Sequence, residues 1–248
     1  MNGPLAITAD AAPKACVPRA TLNLPIPRYL TQAYWWAYVH PNAVHLFERE
    51  WLVNTILFGN YGRLRDAALA ALGCAGATVH GRTLQVACVY GNLTRKLQQR
   101  LASDASLDVV DILPIQLQNL HRKLPDDERV ALLHGDSSML ACADASYDQV
   151  LLFFLLHEQP DAVRSSTLAE AMRVVKPGGK VVIVDYHRPS IWHPMRPLMR
   201  LVFRKLEPYA MALWQHDVQD FMPPGVRPAS LLKRTWFGGL YQMLVLSK

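Results

Sequence analysis

The stretch Leu84-Gln85-Val86-Ala87-Cys88-Val89-Tyr90-Gly91-Asn92-Leu93-Thr94 decides the fold of this 248-residue chain. Its first residues are mostly apolar and predict a buried strand, Gly91 predicts a tight turn, and the residues after it predict the start of a helix. Backbone N–H groups at a helix start that follows a strand in this way face a nucleotide-like cofactor. The stretch therefore predicts a cofactor site at the end of the first core strand.

The composition predicts one domain of good size with appendages. Hydrophobic residues make up 51% of the chain and charged residues 19%, which is ample material for a core. The net charge of +6 and the isoelectric point near 9.2 suit an anionic partner, such as phosphate or lipid headgroups. The same charge is too mild to imply binding to nucleic acid, and we expect none.

The cysteines and the N-terminus predict the compartment. The four cysteines (Cys16, Cys74, Cys88 and Cys142) show no CxxC pair and no regular spacing, so neither a zinc site nor a disulfide framework follows from them. The N-terminus lacks a basic start followed by an apolar run, and no stretch of about 18 uninterrupted apolar residues exists. We therefore expect a cytoplasmic protein with reduced thiols.

The chain divides into three parts. Residues 1–27 contain five prolines and little periodicity, which predicts a flexible arm. Residues 28–80 are rich in aromatic side chains, and the spacing of apolar residues predicts helices near 51–58 and 64–72; we interpret this part as a helical, aromatic cap. The cofactor-binding domain is predicted over residues 81–248.

Strands and helices alternate after the opening stretch, which predicts right-handed βαβ units in a parallel sheet. The near-continuous apolar run at 147–156 predicts a strand that is covered on both faces. Residues 230–235 and 239–247 predict a closing antiparallel hairpin. The remaining predicted strands are 107–112, 130–134 and 180–185, and the predicted helices are 94–101, 115–124 and 161–174.

The opening stretch resembles the first motif of Rossmann-like S-adenosylmethionine (SAM) methyltransferases, which is roughly acidic-apolar-(Gly/Ala)-x-Gly-x-Gly. Gln85 takes the acidic position, Cys88 and Val89 stand where glycines usually allow close approach, and only Gly91 remains of the glycines. The resemblance implies an α/β, seven-stranded SAM-methyltransferase fold with an N-terminal helical cap. The changed residues predict a changed cofactor pose, because their side chains occupy space that the methionine end of SAM normally approaches.

A second, longer resemblance points to quinone chemistry. Leu155-Leu156-His157-Glu158-Gln159-Pro160, followed by Arg173-Val174-Val175-Lys176-Pro177-Gly178-Gly179, is similar to a motif pair of methyltransferases that act on quinone precursors. Together with residues 29–60, the Val89-Tyr90-Gly91 turn and the run Asp185-Tyr186-His187-Arg188-Pro189, the chain resembles the RquA family of rhodoquinone biosynthesis proteins.

The RquA resemblance implies conversion of ubiquinone to rhodoquinone, in which a ring methoxy group is replaced by an amino group. It implies SAM as amino donor, ubiquinone as substrate and assistance by Mn²⁺. Two alternatives stay open on the residues alone. One is a conventional SAM-dependent methyltransferase that acts on a quinone precursor or a small aromatic compound. The other is a lapsed enzyme that binds lipid or a protein partner, which failure to bind SAM would favour.

The predicted cofactor site includes two aspartates. Asp111 ends the second strand about 20 residues beyond the turn, where a carboxylate hydrogen-bonds the ribose diol, although it could also be a solvated or capping residue. Asp136 resembles the residue that faces the adenine amino group, and its alternative is to cap the next helix. The predicted cofactor-binding residues are Val89, Tyr90, Gly91, Asn92, Asp111, Ile112, Asp136 and Ser137.

The carboxyl ends of strands four and five predict acid–base and metal chemistry. His157 and Glu158 follow one strand, and Asp185 and His187 follow the other. A mixed imidazole and carboxylate set suits Mn²⁺, and a histidine could carry protons near neutral pH. Alternatively, these groups cap a helix or pair with each other. The predicted metal ligands are His157, Glu158, Asp185 and His187, and the predicted catalytic residues are His157, Tyr90 and His187.

Two features predict a peripheral membrane protein on the inner face of the membrane. The aromatic band from Tyr29 to Trp51 could form a lid over a planar quinone ring, or simply pack in the core. Arg196, Arg200 and Arg204 recur at helical spacing, and the apolar residues Leu198, Val202 and Leu206 lie on the other face. Such a helix can lie on an anionic membrane, or it can be an ordinary surface helix with solvated arginines.

Overall fold

The computed structural model describes residues 24–34, 47–73 and 78–248. The described residues contain a seven-stranded sheet. Its strands are β1 (Arg82–Val86), β2 (Ser106–Asp111), β3 (Val130–His134), β4 (Tyr147–Phe153), β5 (Val175–Tyr186), β6 (Ser230–Trp236) and β7 (Tyr241–Ser247). The strand order is β3-β2-β1-β4-β5-β7-β6, and β7 runs in the direction opposite to the other six strands. This is the predicted Rossmann-like methyltransferase topology with its closing hairpin.

Eight α-helices surround the sheet in the described residues. They are α1 (Arg28–Ala33), α2 (Glu50–Ile56), α3 (Tyr61–Leu72), α4 (Leu93–Gln98), α5 (Pro114–Lys123), α6 (Asp161–Val174), α7 (Arg196–Lys205) and α8 (Ala212–Gln215). Short 3-10 helices form at Leu156–Glu158 and Val218–Phe221. None of the described helices is long and apolar enough to cross a membrane.

Strand β4 lies between two hydrophobic layers, one on each face of the sheet. Val150 and Leu152 join one buried cluster, whereas Leu151 and Phe153 join the other. Alternate side chains of a strand point to opposite faces, so both faces of β4 are covered. Strand β4 is three residues shorter than predicted, because Phe154 adopts a left-handed φ of 52° and the chain then forms a 3-10 helix.

The sheet order creates the place for a ligand. The chain runs outward from β1 to β3 and returns to β4 on the other side of β1. Loops after β1 and β4 therefore diverge at the carboxyl edge of the sheet, which is where open α/β sheets bind ligands.

The predicted arm and cap are described only in part. Residues 1–23 and 35–46, which include Trp35, Trp36 and Tyr38 of the aromatic band, lie outside the described residues, and residues 24–27 are not helical. Helix α3 lies in the same buried cluster as the sheet, through Leu64, Ala68 and Leu72. Trp51 is largely exposed, whereas Tyr34 is buried.

Two further expectations are corrected by the structure. Cys142 takes part in a disulfide bond, so the prediction of reduced thiols is wrong for this residue, while Cys88 is free. Spacing in the sequence does not reveal which cysteines meet in space. In α7 the buried residues are Met199 and Phe203, whereas Leu198 on the predicted apolar face is 44% exposed.

Candidate active site

A cavity of about 630 Å³ lies at the carboxyl edge of the sheet, between the cap helices and the strands. Loops after β1, β2, β3 and β4 form its floor, and α1, α2 and α7 contribute its walls. Most of the lining is aromatic or aliphatic, which suits a planar, largely apolar ligand. Its polar lining residues are Tyr29, Tyr34, Thr55, Tyr61, Tyr90, Asp111, Gln116, Asp136, Ser137, His157, Glu158, Gln159, Tyr186 and Glu207.

The turn after β1 differs from the sequence-based expectation. Ala87 has a φ of 72° and Gly91 a φ of 84°, whereas Cys88 and Val89 do not adopt positive φ. The left-handed backbone that favours glycine is therefore required at Ala87, and alanine holds it at a cost of about 1–2 kcal/mol. The Ala87 N–H donates to the Val110 carbonyl at 2.7 Å, which fixes the turn against β2.

Gln85 replaces the usual acidic residue with a local structural role. Its amide Nε2 donates to the Ala87 carbonyl at 3.0 Å, and its Oε1 accepts from the Thr94 hydroxyl at 3.1 Å. The side chain is fully buried. Gln85 thus ties the end of β1 to the start of α4.

Asp111 lies on the cavity wall and organises two loops. Its Oδ2 accepts the Cys88 N–H at 2.6 Å and its Oδ1 accepts the Leu113 N–H at 2.8 Å. Burial raises the pKa of Asp111, and the two N–H donors oppose that shift. Each carboxylate oxygen has a second lone pair, so the group can still accept from a ribose hydroxyl.

Val89 and Tyr90 place their side chains on the cavity. The Tyr90 hydroxyl accepts from Gln116 Nε2 at 2.8 Å, and its ring stacks on Phe47 with centroids 5.9 Å apart. Burial is the main cause of a strongly raised Tyr90 pKa, so the hydroxyl keeps its proton. Tyr90 is therefore a neutral, fixed aromatic surface for a ligand.

The structure places Gly91 and Asn92, two predicted cofactor residues, away from the cavity lining. The Asn92 and Leu93 N–H groups donate to the Tyr61 hydroxyl at 2.9 and 3.1 Å, so Tyr61 caps α4. The Gly91 N–H donates to Glu48 at 3.1 Å. The donors that would face a ligand in the usual motif are thus used by side chains of the cap region.

A second group of contacts links the cap region to the same turn. Lys123 donates to the carbonyls of Val89 at 3.3 Å and Gly91 at 3.1 Å, and it pairs with Glu48. The Asn92 amide bonds to Arg65 and Glu50. The turn is therefore held from both sides.

Asp136, Ser137 and Ile112, three of the predicted cofactor-binding residues, lie on the cavity wall. Asp136 accepts the Ser138 N–H at 2.8 Å, and no helix follows it, so it stabilises a turn and does not cap a helix. Ser137 bonds to Gln159 at 3.0 Å, and the Ile112 carbonyl contacts Nε2 of His134 at 3.0 Å.

His157 and Asp185 form a buried pair. Nδ1 of His157 lies 2.9 Å from Asp185 Oδ1, and the backbone N–H groups of Leu156, His157 and Tyr186 also donate to this carboxylate. A carboxylate only accepts, so Nδ1 carries the hydrogen. Nε2 lies 3.7 Å from Glu158 and 4.0 Å from Glu207, both on the cavity wall.

The charge of His157 is set by its neighbours. Burial alone would lower the pKa of His157, but the bonded Asp185, with Glu207 and Glu158, raises it to about 9. Burial also raises the pKa of Glu207. At neutral pH the His157 ring is therefore protonated and can donate a proton from Nε2.

The structure brings His157, Glu158 and Asp185 together but not His187, the fourth predicted metal ligand. His187 is turned away, with Nδ1 2.7 Å from the Gly239 carbonyl, and does not line the cavity. Asp185 Oδ1 and Nδ1 of His157 are hydrogen-bonded to each other, and both Asp185 oxygens also accept backbone N–H groups. Among the described residues, no group of three His, Cys, Asp or Glu side chains could hold a metal ion. The residues that the structure describes therefore do not fit the Mn²⁺ implied by the RquA resemblance.

Comparison with known proteins shows the family. A methyltransferase domain family matches residues 83–179. The chain is 30% identical over 170 residues to demethylmenaquinone methyltransferase of Staphylococcus aureus, covering 68% of each protein. It is 27% identical over 169 residues to the Bacillus licheniformis protein of the same name, covering 68% of this chain and 70% of that protein. The chain belongs to the SAM-dependent methyltransferase family.

Solved methyltransferase structures share the fold. The N-methyltransferase NodS from Bradyrhizobium japonicum WM9, in complex with S-adenosylhomocysteine, aligns with a TM-score of 0.56 at 14% identity, over 83% of this chain and 96% of that one. Human N-acetylserotonin methyltransferase in complex with SAM aligns with a TM-score of 0.58 at 16% identity, over 90% of this chain and 60% of that one.

The cavity lining contains polar groups that could bind SAM. The Asp111 carboxylate retains acceptor capacity at the position predicted for the ribose, and Gln159 Oε1 is buried without a hydrogen-bond partner among the described residues. The side chains Val89 and Tyr90 narrow the region next to the turn. Asp111, Asp136, Ser137 and Gln159 are the residues that would hold the cofactor.

Three residues of this site escaped sequence analysis: Glu48, Tyr61 and Glu207. Each belongs to no motif, and each meets its partner over a long separation, such as 31 residues between Tyr61 and Asn92. The one signal in the sequence is that Cys88 and Val89 stand at usual glycine positions, which suggests that another part of the chain supports the turn.

Proposed function

We propose that this protein replaces a ring methoxy group of ubiquinone by an amino group, giving rhodoquinone. One observation carries the proposal: Val89 and Tyr90, at the turn where the family places glycines, line the same cavity as the protonated His157. Their side chains require a cofactor pose that differs from the usual one. A different pose brings a different group of the cofactor toward the acceptor.

A quinone is the acceptor that agrees best with the relatives and the cavity. The two curated relatives act, by name, on demethylmenaquinone. A cavity of about 630 Å³ with a mostly aromatic and aliphatic lining can hold a substituted ring beside a nucleoside. The aromatic rings of Tyr90 and Phe47 offer a flat surface for such a ring.

His157 would serve both proton transfers of the exchange. SAM, when bound, would supply the amino group; its N–Cα bond would break by elimination, in which a β-proton of the methionine moiety passes to the nitrogen. On the ring, the nitrogen adds to the carbon that bears the methoxy group, and the leaving methoxide then takes the proton from Nε2 of His157 and departs as methanol. The neutral imidazole accepts the proton that the ring-bound nitrogen loses, so His157 returns to its starting state.

Manganese has no place in this proposal, since the described residues do not supply its ligands. Asp185 acts through His157 as a positioning residue: it fixes the tautomer that directs Nε2 to the cavity.

Association with an anionic membrane surface, on the inner face, is part of the proposal. Residues 186–206 contain no Asp or Glu, whereas α7 contains Arg196, Arg200, Arg204 and Lys205. Trp192 is 86% exposed, and Leu198 and Leu201 are exposed beside the arginines. Basic and apolar groups on one surface suit the headgroup region of a bilayer, where a long-tailed quinone resides.

Methyl transfer to a quinone precursor is the second candidate, which the family and the names of the relatives favour. The same His157 would then act on a ring hydroxyl. A lapsed enzyme would be indicated only if the protein bound no SAM.

The experiment that tests the proposal uses the purified protein, a short-tailed ubiquinone and SAM labelled with ¹⁵N at its amino group, with and without Mn²⁺. Mass spectrometry then identifies the quinone product. A quinone that has lost methanol and gained labelled nitrogen supports the proposal. An unchanged quinone together with bound SAM contradicts it and leads to a screen of quinone precursors for methyl transfer.

A further inference from the structure

Glu207 is an ionisable residue of the cavity. It belongs to no sequence motif and has no role in the proposed proton transfers. It follows α7 and lines the cavity beside His157, with its Oε2 4.0 Å from Nε2 of that ring. This oxygen is buried and has no hydrogen-bond partner among the described residues. A buried carboxyl oxygen without a partner is costly, so a hydrogen bond from Glu207 to a ligand bound beside His157 would be favourable.

Glu158 also lines the cavity, 3.7 Å from Nε2 of His157, whereas three other carboxyl groups of the site are placed differently. Asp185 does not line the cavity, and its oxygens are occupied by His157 and by backbone N–H groups. Asp111 and Asp136 lie on the cofactor side and accept backbone N–H groups. Glu207 therefore has an oxygen available for a group bound next to His157.

The charge of the cavity points to the kind of group. Its described lining contains four acidic residues (Asp111, Asp136, Glu158 and Glu207) and one histidine, with no Lys or Arg. A carboxylate on the ligand would meet several acidic groups, and the one cationic group of this lining, the His157 ring, is already paired with Asp185. An uncharged ring would avoid that repulsion. Burial favours the protonated form of Glu207, which can donate a hydrogen bond.

We propose that Glu207 determines substrate specificity by donating a hydrogen bond to an oxygen substituent of an uncharged ring, and that the other acidic residues of the cavity lining disfavour aromatic carboxylates. This inference rests on the proposed function, since it assumes that the acceptor ring binds beside His157. The inference adds to the proposed function a residue that recognises the ring, and it predicts that the site binds anionic ring compounds poorly.

Binding without turnover tests this role. The full-length protein, saturated with S-adenosylhomocysteine, is titrated with a short-tailed ubiquinone and, separately, with 3,4-dimethoxybenzoate, which is anionic and also has ring methoxy groups. We expect the wild-type protein to bind the quinone at least ~10-fold more tightly than the benzoate. Glu207→Ala should weaken quinone binding by roughly 10-fold, the loss typical of one buried hydrogen bond to a ligand.

Two further variants make the result specific. Glu207→Gln keeps a neutral donor and should bind the quinone within about threefold of wild type. Asp104→Asn removes one carboxylate from a largely exposed surface position, 79% exposed, and should change neither affinity. Thermal unfolding of each variant verifies that it is folded.

Glu207→Ala with wild-type affinity for the quinone would overturn the inference, as would equal binding of the benzoate and the quinone by the wild-type protein. Loss of binding in Glu207→Ala with retention in Glu207→Gln supports it. A quinone that binds in this Glu207-dependent manner but never acquires nitrogen from SAM contradicts the proposed amino transfer and leaves the role of Glu207 standing.

Discussion

Nδ1 of His157 lies 2.9 Å from the Asp185 carboxylate, and this contact directs the opposite ring nitrogen into the cavity. Asp185 is itself fully buried and accepts three backbone N–H groups, so neither partner can rotate without losing several hydrogen bonds. Substitutions in this rigid pair therefore test its role in proton transfer at the site.

Asp185→Asn should abolish most of the activity while leaving SAM binding nearly intact. The amide cannot accept at both of its positions, so the tautomer and charge of His157 change. We expect turnover to fall by roughly 10²–10⁴-fold, the usual contribution of acid–base catalysis. Calorimetry with SAM is the control, because Asp185 does not line the cavity. Unchanged turnover would remove the pair from the mechanism.

The pKa of His157 predicts how stability depends on pH. Because the pKa is raised from 6.5 to about 9 in the folded protein, the charged ring stabilises the fold. This contribution is fully present below pH 6.5 and disappears as the pH rises through 9. Urea unfolding of the wild-type protein and of His157→Gln, at pH 6 and pH 9.5, measures it. The difference between the two proteins should shrink at the higher pH; a difference that grows would reverse the sign.

Asp111→Ala should weaken SAM binding at least tenfold, because the ribose hydroxyls lose their acceptor. It should also lower the free energy of unfolding by about 1–3 kcal/mol, since the Cys88 and Leu113 N–H groups lose theirs. Calorimetry and denaturant unfolding separate the two effects. Asp148→Asn is the matched control, since Asp148 also accepts a backbone N–H, from Arg82, outside the cavity. Equal SAM affinities for all three proteins would exclude Asp111 from the cofactor site.

Tyr61→Phe should destabilise the cofactor turn. The variant leaves the Asn92 and Leu93 N–H groups without their acceptor, as in the loss of a helix cap, at a cost of about 1–2 kcal/mol. We expect SAM affinity to fall with it. Tyr147→Phe removes another hydroxyl, one that bonds to Asp108 and lies outside the cavity lining, so it should change stability but not SAM affinity.

Val89→Gly tests the rebuilt turn itself. Removing the side chain from the cavity wall should allow a more conventional cofactor pose, so the ratio of amino transfer to methyl transfer should fall. The measurement is the mass of the quinone products, with SAM labelled at both groups. Identical product ratios would show that the valine does not influence the pose.

Much of the sheet could be predicted because its signals are local. Helix α6 has the predicted limits, 161–174, since Pro160 marks its start and Lys176-Pro177-Gly178 follow its end. The positions of Asp111 and His157 on the cavity follow from strand order, because they lie at the carboxyl ends of β2 and β4, the two parallel strands on either side of β1.

The rest depends on contacts between distant parts of the chain. Nothing around Glu207 indicates that it meets His157, 50 residues earlier in the sequence. His187 and Asp185 are two residues apart and were expected together, yet His187 leaves the site because its ring binds the Gly239 carbonyl of the closing hairpin. Alternation along a strand places residues two apart on the same side, but His187 lies beyond the last residue of β5, so a tertiary contact decides where its ring points.

The contact between Gly91 and Tyr61 has a consequence for related sequences. A Cβ atom at position 91 would lie 2.6 Å from the Tyr61 hydroxyl, at a φ of 84° that already favours glycine. A larger residue at 91 is therefore tolerated only if the tyrosine is lost as well, and a homologue without the tyrosine must cap α4 in another way. In an alignment of related sequences, positions 61 and 91 should therefore covary. Sequences with tyrosine at 61 and glycine at 91 would be those that keep the tyrosine contact with the cofactor turn.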